Sequence, residues 1–407
     1  MGNILGIISG VLSSLHVAVD ALHMLVSRRV RSWDPVREIP PGSLAGKVIL
    51  ITGGNAGIGR QAALDLAVAA ASAHQPTSTS SNQPVAATTT EIWIASRNAV
   101  MGRKVVAEIE RAAAVNVAAR RTNRNSGENG RAGGEEEDEE TAQRVRAHFL
   151  ELDLTSFASI RKAARTFSAA VSRLDILILN AGLMGGPATA VTEDGYELRF
   201  GLNYVGHALL VKLLLPLLLL GAAAETKEDP IIGDSDSDSE GASNNRPRIV
   251  ALSSAAHSYT VRGGIRFDAL KGPASHVERV MRYGQSKLAL LLWAREMAER
   301  YPPRQVTTVS IHPGTVKTEL FNNPEGGLMY RLLQRLFVPV FGLTVEDGAK
   351  NTVWAATASS KDVVSGEYYE PIGVAGNGSV WSRDRGLARK LWEWTEEELK
   401  GQELDTI

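Results

Sequence analysis

An α/β fold is predicted for this chain: a doubly wound parallel sheet with helices on both faces. The short apolar runs Val48–Ile51, Ile92–Ala95, Ala147–Leu150, Leu177–Leu179, Ile249–Leu252 and Val306–Ile311 read as strands and alternate with stretches of helical periodicity. Strands separated by helices build parallel βαβ units with right-handed crossovers. Residues able to do chemistry follow these runs or sit on the adjacent helices, where a doubly wound sheet gathers its ligands. The 407 residues could fill two domains, yet one sheet domain enlarged by insertions accounts for the pattern.

The chain opens on an apolar segment. From Ile4 to Val26 there is no Lys or Arg, and Ser9, Ser13, His16, Asp20 and His23 fall at helical spacing, so they form one narrow polar stripe. Arg28, Arg29 and Arg31 follow. Three placements fit such a helix: across a bilayer, in the headgroup plane, or on the protein's own core. A cleaved signal fits less well, because the basic start and the small-residue cleavage pattern are missing. Gly2 invites acylation, but position 6 is Gly where Ser or Thr is expected.

The first strand run leads into Thr52-Gly53-Gly54-Asn55-Ala56-Gly57-Ile58-Gly59 and then a helix-like stretch. Strand, Gly-rich turn and helix in that order suit a dinucleotide pyrophosphate. Glycines let the backbone turn tightly and approach the phosphates, and the helix presents unpaired N–H groups with its positive dipole end. Three later segments break the framework: about 71–90, rich in Ser, Thr, Ala, Gln and Pro; about 115–144, with four arginines and then the acidic run Glu135–Glu140; and about 222–245, with alternating Asp and Ser from Asp234. Low apolar content and blocks of like charge cannot offset chain entropy, so all three are expected to be disordered surface insertions. An acidic docking tract or a phosphorylation site is the functional alternative to a plain solvated loop.

Further along, Tyr283 and Lys287 stand four apart in a stretch whose Leu288, Leu291 and Leu292 keep helical spacing, so the pair shares one face. A carbonyl being reduced needs a proton as hydride arrives, and an alcohol being oxidised needs a base. A phenol near pKa 10 is poorly matched to neutral pH unless a neighbouring ammonium stabilises its anion. Net charge of −1 gives no reason to expect nucleic acid, and the absence of cysteine removes disulfides, thiolate chemistry and Cys metal sites. The eight histidines are scattered without ligand spacing, so no metal centre is expected, and the Gly-x-Ser-x-Gly elbow of a hydrolase is missing. His257 and His312 are read as structural histidines, with a place in the substrate pocket as the alternative.

In order, the Gly-rich turn, Asn180-Ala181-Gly182, Asn203, Ser254, Tyr283-x-x-x-Lys287 and Pro313-Gly314 resemble the short-chain dehydrogenase/reductase family, over about Gly46 to Tyr369. The stretch from Thr192 to His207 is similar to its retinol dehydrogenase-like branch. The resemblance implies a Rossmann-type single domain over 46–370, flanked by the apolar helix of 1–31 and a C-terminal extension of 371–407. It implies catalysis by Asn203, Ser254, Tyr283 and Lys287: Tyr283 as general acid/base, Ser254 polarising the substrate carbonyl with Ser253 its rival, and Asn203 freeing a main-chain carbonyl for a water that links Lys287 to solvent. It implies coenzyme contacts from Gly53, Asn55, Gly57, Ile58, Gly59, Arg97, Asp153, Asn180, Ala181, Gly182, Tyr283, Lys287, Pro313, Gly314, Val316 and Thr318.

By the same resemblance Asp153 meets the adenine amino group, and Ser96-Arg97 ends the second strand where the adenosine ribose is read. Arg there favours a 2′-phosphate, hence NADP(H) before NAD(H), with Lys104 or Arg60 adding field. The branch implies a lipophilic alcohol, aldehyde or ketone as partner, with the apolar region after Thr318, from Phe321 to Phe337, as a lid. A homo-oligomer is compatible with it, as is a membrane-associated enzyme facing the cytoplasm at the endoplasmic reticulum or a lipid droplet, with a cytoplasmic protein as the other reading. Two other functions share these features: a non-catalytic NADP-binding scaffold or redox sensor, and an epimerase or dehydratase that returns its hydride within one turnover.

Overall fold

The computed structural model describes residues 30, 32–72, 89–125, 144–228, 246–316, 342–376 and 378–404. Eight strands form one sheet: β1 (Val48–Thr52), β2 (Thr89–Ser96), β3 (Arg144–Glu151), β4 (Ile176–Leu179), β5 (Arg248–Leu252), β6 (Thr307–Ile311), β7 (Tyr368–Glu370) and β8 (Val374–Ala375). Their order is β3-β2-β1-β4-β5-β6-β7-β8, parallel throughout except for the antiparallel β7–β8 pair. Between β1 and β4 the winding reverses direction, and there Ile49, Leu50 and Ile51 pair with Ile176, Leu177 and Ile178. A crevice opens beyond the strand ends at such a switch point.

The period-2 alternation of each strand sorts its side chains between two cores. Ile49, Ile51, Ile92, Ile94 and Val250 face a core closed by α1 (Gly57–Ala71), α2 (Ala99–Asn125) and α6 (Val345–Thr357). Leu50, Ala95, Leu177, Leu179 and Ala251 face the opposite core, closed by α3 (Phe157–Ala170), α4 (Gly206–Glu228), α5 (Arg279–Arg300) and α7 (Arg385–Glu398). Because both sides of the sheet are covered, the central strands carry the unbroken apolar runs Val48–Ile51, Ile176–Leu179 and Ile249–Leu252, which is why they stand out in the sequence.

Helical structure runs further than composition suggests. Residues 115–125, assigned above to the second insertion, continue α2, and residues 222–228, assigned to the third, continue α4. Adding residues to a formed helix is far easier than nucleating one, so polar residues extend it without burial of their own. At the other boundaries Ala71 ends α1, Thr89 and Thr90 belong to β2 and Arg144 opens β3. Thr90 fits its strand because it is β-branched and its hydroxyl donates to the Leu44 carbonyl at 2.6 Å. Ser72 caps α1, and the remaining parts of the insertions, the segment 4–26, Thr318 and the region 321–337 lie outside the described residues.

The C-terminal segment, read as an extension, is built into the domain. Ala388, Leu391 and Leu399 are buried, Trp394 meets Tyr196 and Phe200 edge-on, and Tyr204 and Thr395 share a 2.6 Å hydrogen bond. Among the described residues one helical run, Leu198–Ala222, is long and apolar enough to cross a membrane. Leu209, Leu210, Leu214 and Leu218 of that run are fully buried in the core, so its all-round apolarity is that of a covered helix.

Candidate active site

The Gly-rich turn leaves β1 at the switch point. Gly53 has φ +66° and Gly57 φ +53°, a region that L side chains avoid. A Cβ on Gly53 would stand 2.9 Å from the Ala181 Cα, and one on Gly59 would run into the Asn180 amide. Asn180 itself donates from Nδ2 to the carbonyl of Thr52 at 2.8 Å and to that of Gly53 at 3.3 Å. It therefore staples the turn to the end of β4. Helix α1 then begins at Gly57, and its N-cap Ala56 supplies no side-chain hydrogen bond. A fifteen-residue helix whose first N–H groups are left without a side-chain cap, beside glycines that admit no Cβ, fits an anionic pyrophosphate.

Behind the turn lies a chain of hydrogen bonds that the sequence did not signal. Asn203 sits in a π-helical turn, Gly201–Val205, at the start of α4. Its Oδ1 accepts from the Leu183 N–H at 2.7 Å, and its Nδ2 donates to the Leu183 carbonyl at 3.0 Å and to Ser286 Oγ at 2.8 Å. The Asn203 main-chain carbonyl, expected above to hold a water, accepts from Nδ1 of His207 at 2.8 Å. A ring one helical turn away reaches it directly.

Burial pushes the pKa of His207 down to about 4, so its ring is neutral near pH 7. With Nδ1 donating to a carbonyl, Nε2 is the acceptor, and the Thr52 hydroxyl 2.9 Å away donates to it. Thr52 Oγ1 in turn accepts from the Ala181 N–H at 3.0 Å. Thr52, Ala181, His207 and Asn203 are thus one buried network joining the ends of β1 and β4 to α4.

Helix α5 brings Tyr283 and Lys287 to the same place. Both are buried, and Lys287 Nζ lies 5.7 Å from the centre of the Tyr283 ring. Nζ donates to the Leu252 carbonyl at 2.7 Å, two residues before Ser254, and a Cβ on Gly182 would stand 3.3 Å from it. Burial lowers the Lys287 pKa to about 7. Gly284 has no room for a Cβ, because the Ala256 and Tyr259 carbonyls press on it.

The two serines part company. Ser253 is buried and donates to the Lys287 carbonyl at 2.8 Å. Ser254 is half-buried, and its Oγ accepts from the Ala256 N–H at 3.1 Å, which leaves its O–H to donate elsewhere. The loop after Gly182 is held by buried arginines: Arg199 donates to the Met184 carbonyl at 2.9 Å, and Arg282, next to Tyr283, to that of Ala188 at 2.7 Å. Glu197 balances Arg199 at 2.9 Å. Buried charges need such partners, and their spacing alone does not reveal them.

A sequence model described as short chain dehydrogenase matches residues 101–227. Retinol dehydrogenase 12 of Mus musculus is 31% identical over 86% of this chain and 85% of its own length. Retinol dehydrogenase 14 of Homo sapiens is 32% identical over 88% and 87%. The chain belongs to the short-chain dehydrogenase/reductase family. Among solved structures, an uncharacterized protein of Mycobacterium paratuberculosis superposes with a TM-score of 0.56 at 23% identity, covering 90% of this chain and 97% of that one, and shares the fold. The Pseudomonas aeruginosa RhlG/NADP complex does so with a TM-score of 0.51 at 19% identity, over 82% and 98%.

As in its relatives by name, this short-chain dehydrogenase/reductase is an oxidoreductase, and its family binds nicotinamide dinucleotides. Arg97, after β2, is exposed and its Nη1 lies 3.8 Å from Asp153 Oδ2. Asp153, assigned from the sequence to adenine, spends Oδ1 on the Thr155 N–H at 2.8 Å and the Thr155 hydroxyl at 2.7 Å. Among the described residues the buried Ser96 hydroxyl beside Arg97 has no hydrogen-bond partner. Arg60 is committed to Glu108 at 2.7 Å, and Lys104 is exposed. Gly314 has φ +91°, and Val316 is buried under α6 against Gly348.

The His207 network makes stability depend on pH. Between about 4 and 6.5 the unfolded chain binds a proton that the folded His207 refuses, so stability falls as pH drops through that window. His207→Phe should flatten this limb of urea-unfolding midpoints taken from pH 4 to 7, and should cost about 1–3 kcal/mol at pH 7 through the orphaned Thr52 and Asn203 groups. Parallel pH profiles for the two proteins would remove His207 as the titrating group.

Proposed function

We propose that this protein interconverts a lipophilic alcohol and its aldehyde or ketone, using NADP(H) in preference to NAD(H), with Tyr283 as general acid/base. The observation that carries the reading is the convergence of Tyr283, Lys287 and the Ser254 strand end beside a Gly-rich turn that fits a pyrophosphate. The nicotinamide coenzyme, when bound, supplies or takes up the hydride. Gly53, Asn55, Gly57, Ile58 and Gly59 would hold its pyrophosphate, Ala181 and Gly182 let it pass close to backbone, and Pro313, Gly314, Val316 and Thr318 would orient its reactive end.

In reduction Tyr283 gives its phenolic proton to the carbonyl oxygen, and in oxidation it takes the proton of the alcohol. A protonated Lys287 stabilises the phenolate that results. Because burial lowers its pKa to about 7, Lys287 can also hand a proton on near neutrality. Ser254 directs its O–H at the substrate oxygen and so fixes it beside the phenol. The side chain of Asn203 holds the Leu183 backbone and Ser286, and so sets the distance between the loop after Gly182 and the tyrosine helix.

Arg97 supports the NADP reading: its partner Asp153 lies 3.8 Å away, and a 2′-phosphate offers a guanidinium more charge and a bidentate contact. The names of the relatives support a lipophilic substrate. The apolar segment 4–26 and the arginines after it support membrane association facing the cytoplasm.

Purified protein should oxidise NADPH faster than NADH across a panel of lipophilic aldehydes and ketones. Tyr283→Phe should abolish turnover while NADPH still binds; full activity in that variant would overturn the mechanism. Arg97→Asp should shift the NADPH-to-NADH preference by about 10- to 100-fold, the worth of one charge-assisted contact, and an unchanged ratio would take Arg97 out of the phosphate site. Deleting residues 1–27 should move the protein from the membrane pellet to the supernatant, whereas a full-length chain already in the supernatant would refute the anchor.

A further inference from the structure

The serine turn is held by an element that the proposed chemistry does not use. Ser254 caps a 3-10 turn, Ala255–Ser258, and its carbonyl accepts both the His257 N–H at 3.0 Å and His257 Nδ1 at 2.7 Å. The other ring nitrogen, Nε2, accepts the backbone N–H of Ser379 at 3.0 Å. These two bonds define the ring: Nδ1 carries the hydrogen and Nε2 the lone pair. The ring is buried and packs edge-on against Tyr368 of β7, with centroids 5.0 Å apart.

The loop that supplies Ser379 is itself tied back to the tyrosine helix. Ser382 donates from Oγ to the Ser379 carbonyl at 2.7 Å, and Arg295 of α5 donates to the Ser382 carbonyl at 2.8 Å. Arg295 stands two turns beyond Lys287 on α5. A closed circuit results: α5 carries Tyr283 and Lys287, and through Arg295, Ser382, Ser379 and His257 it also holds the carbonyl of Ser254. On its other side the same 3-10 turn abuts α5 at Gly284.

We propose that His257 is a positioning residue for Ser254, anchored by the Ser379 N–H, so that the C-terminal loop around residues 378–384 sets where the serine hydroxyl meets the substrate. The claim deepens the reading of Ser254 above and rests on it for its kinetic effect. A small displacement of a positioned group costs up to about 100-fold in rate, and among the described residues the Ser254 Oγ bonds only the Ala256 N–H of its own turn.

Three variants of the full-length protein test the circuit. His257→Phe keeps an aromatic ring against Tyr368 but loses both polar contacts; His257→Gln retains one donor and one acceptor; Ser379→Pro removes the N–H together with the hydroxyl, which accepts the Ser382 N–H at 3.3 Å, so Ser379→Ala, which loses only the hydroxyl, is its control. Two readouts are taken: kcat and KM with the best carbonyl substrate, and amide hydrogen exchange at residues 254–259. Expected are a fall in kcat of about 10- to 100-fold for His257→Phe and Ser379→Pro, unchanged NADPH affinity, faster exchange at 254–259, and recovery of most of both in His257→Gln.

Wild-type kcat in Ser379→Pro, or unchanged exchange across 254–259, would overturn the proposal. So would a loss shared equally by His257→Phe and His257→Gln. Were wild-type protein to reduce no carbonyl, the enzymatic reading would fail by itself, and the exchange data would still decide whether His257 and Ser379 hold the turn. Should His257→Phe fail to fold, Ser379→Pro carries the test.

Discussion

Everything at the candidate site depends on the junction of β1 with β4, where the winding of the sheet reverses. A crevice opens there because the crossovers leave toward opposite faces, and the two strand ends must be fixed to one another for the crevice to keep its shape. Two devices do this. Asn180 closes onto the carbonyls of Thr52 and Gly53, and the neutral ring of His207 receives the Thr52 hydroxyl while donating to the Asn203 carbonyl. Beyond the β1–β4 ladder itself, they tie the Gly-rich turn to the turn that bears Asn203.

Burial gives the site its electrostatic character. Lys287 and His207 lie deep, and desolvation lowers both pKa values, to about 7 and about 4, helped at His207 by the charge of Lys287 and opposed by the hydrogen bond to the Asn203 carbonyl. The outcome differs because an imidazole starts from about 6.5 and an ammonium from about 10.5. His207 bridges a hydroxyl and a carbonyl and serves as a neutral strut, whereas Lys287 faces an acceptor-only carbonyl and the Tyr283 ring and so stays poised to carry charge near neutrality. One physical effect thus yields a structural base and a titratable one within the same network.

The framework around the site is polarised. The face bearing α1, α2 and α6 buries Asn351 and Arg248 on main-chain carbonyls away from the tyrosine helix, while the face bearing α3, α4, α5 and α7 holds the buried polar groups around the site: Asn203, Arg199, Glu197, Arg282, His207 and His257. Helix α7 and the loop before it are woven into that second face by Thr395, Ser379 and Leu391. A segment at the end of the chain is therefore as near to the serine turn as the strands that precede it.

Much of this was legible in the sequence. Strands covered on both faces are continuous apolar runs, so β1 to β6 could be read by eye; β7 and β8, three and two residues long, are too short to leave a pattern. Helix ends escaped because a formed helix propagates through polar residues that composition assigns to a loop. Residue types whose chemistry is local to the chain, glycines in a turn or a tyrosine one turn from a lysine, announce themselves. The histidines do not: His207 acts through Thr52, 155 residues away, and His257 through Ser379, 122 residues away. The sequence by itself determined the fold class, the family and which residues could do chemistry, because these follow from hydrophobic period and short-range spacing. Which buried polar groups meet, which serine hydroxyl is spent on a main-chain carbonyl, and how far burial lowers each base were decided only by the tertiary structure, since hydrogen bonding and desolvation depend on neighbours that the chain brings together from a distance.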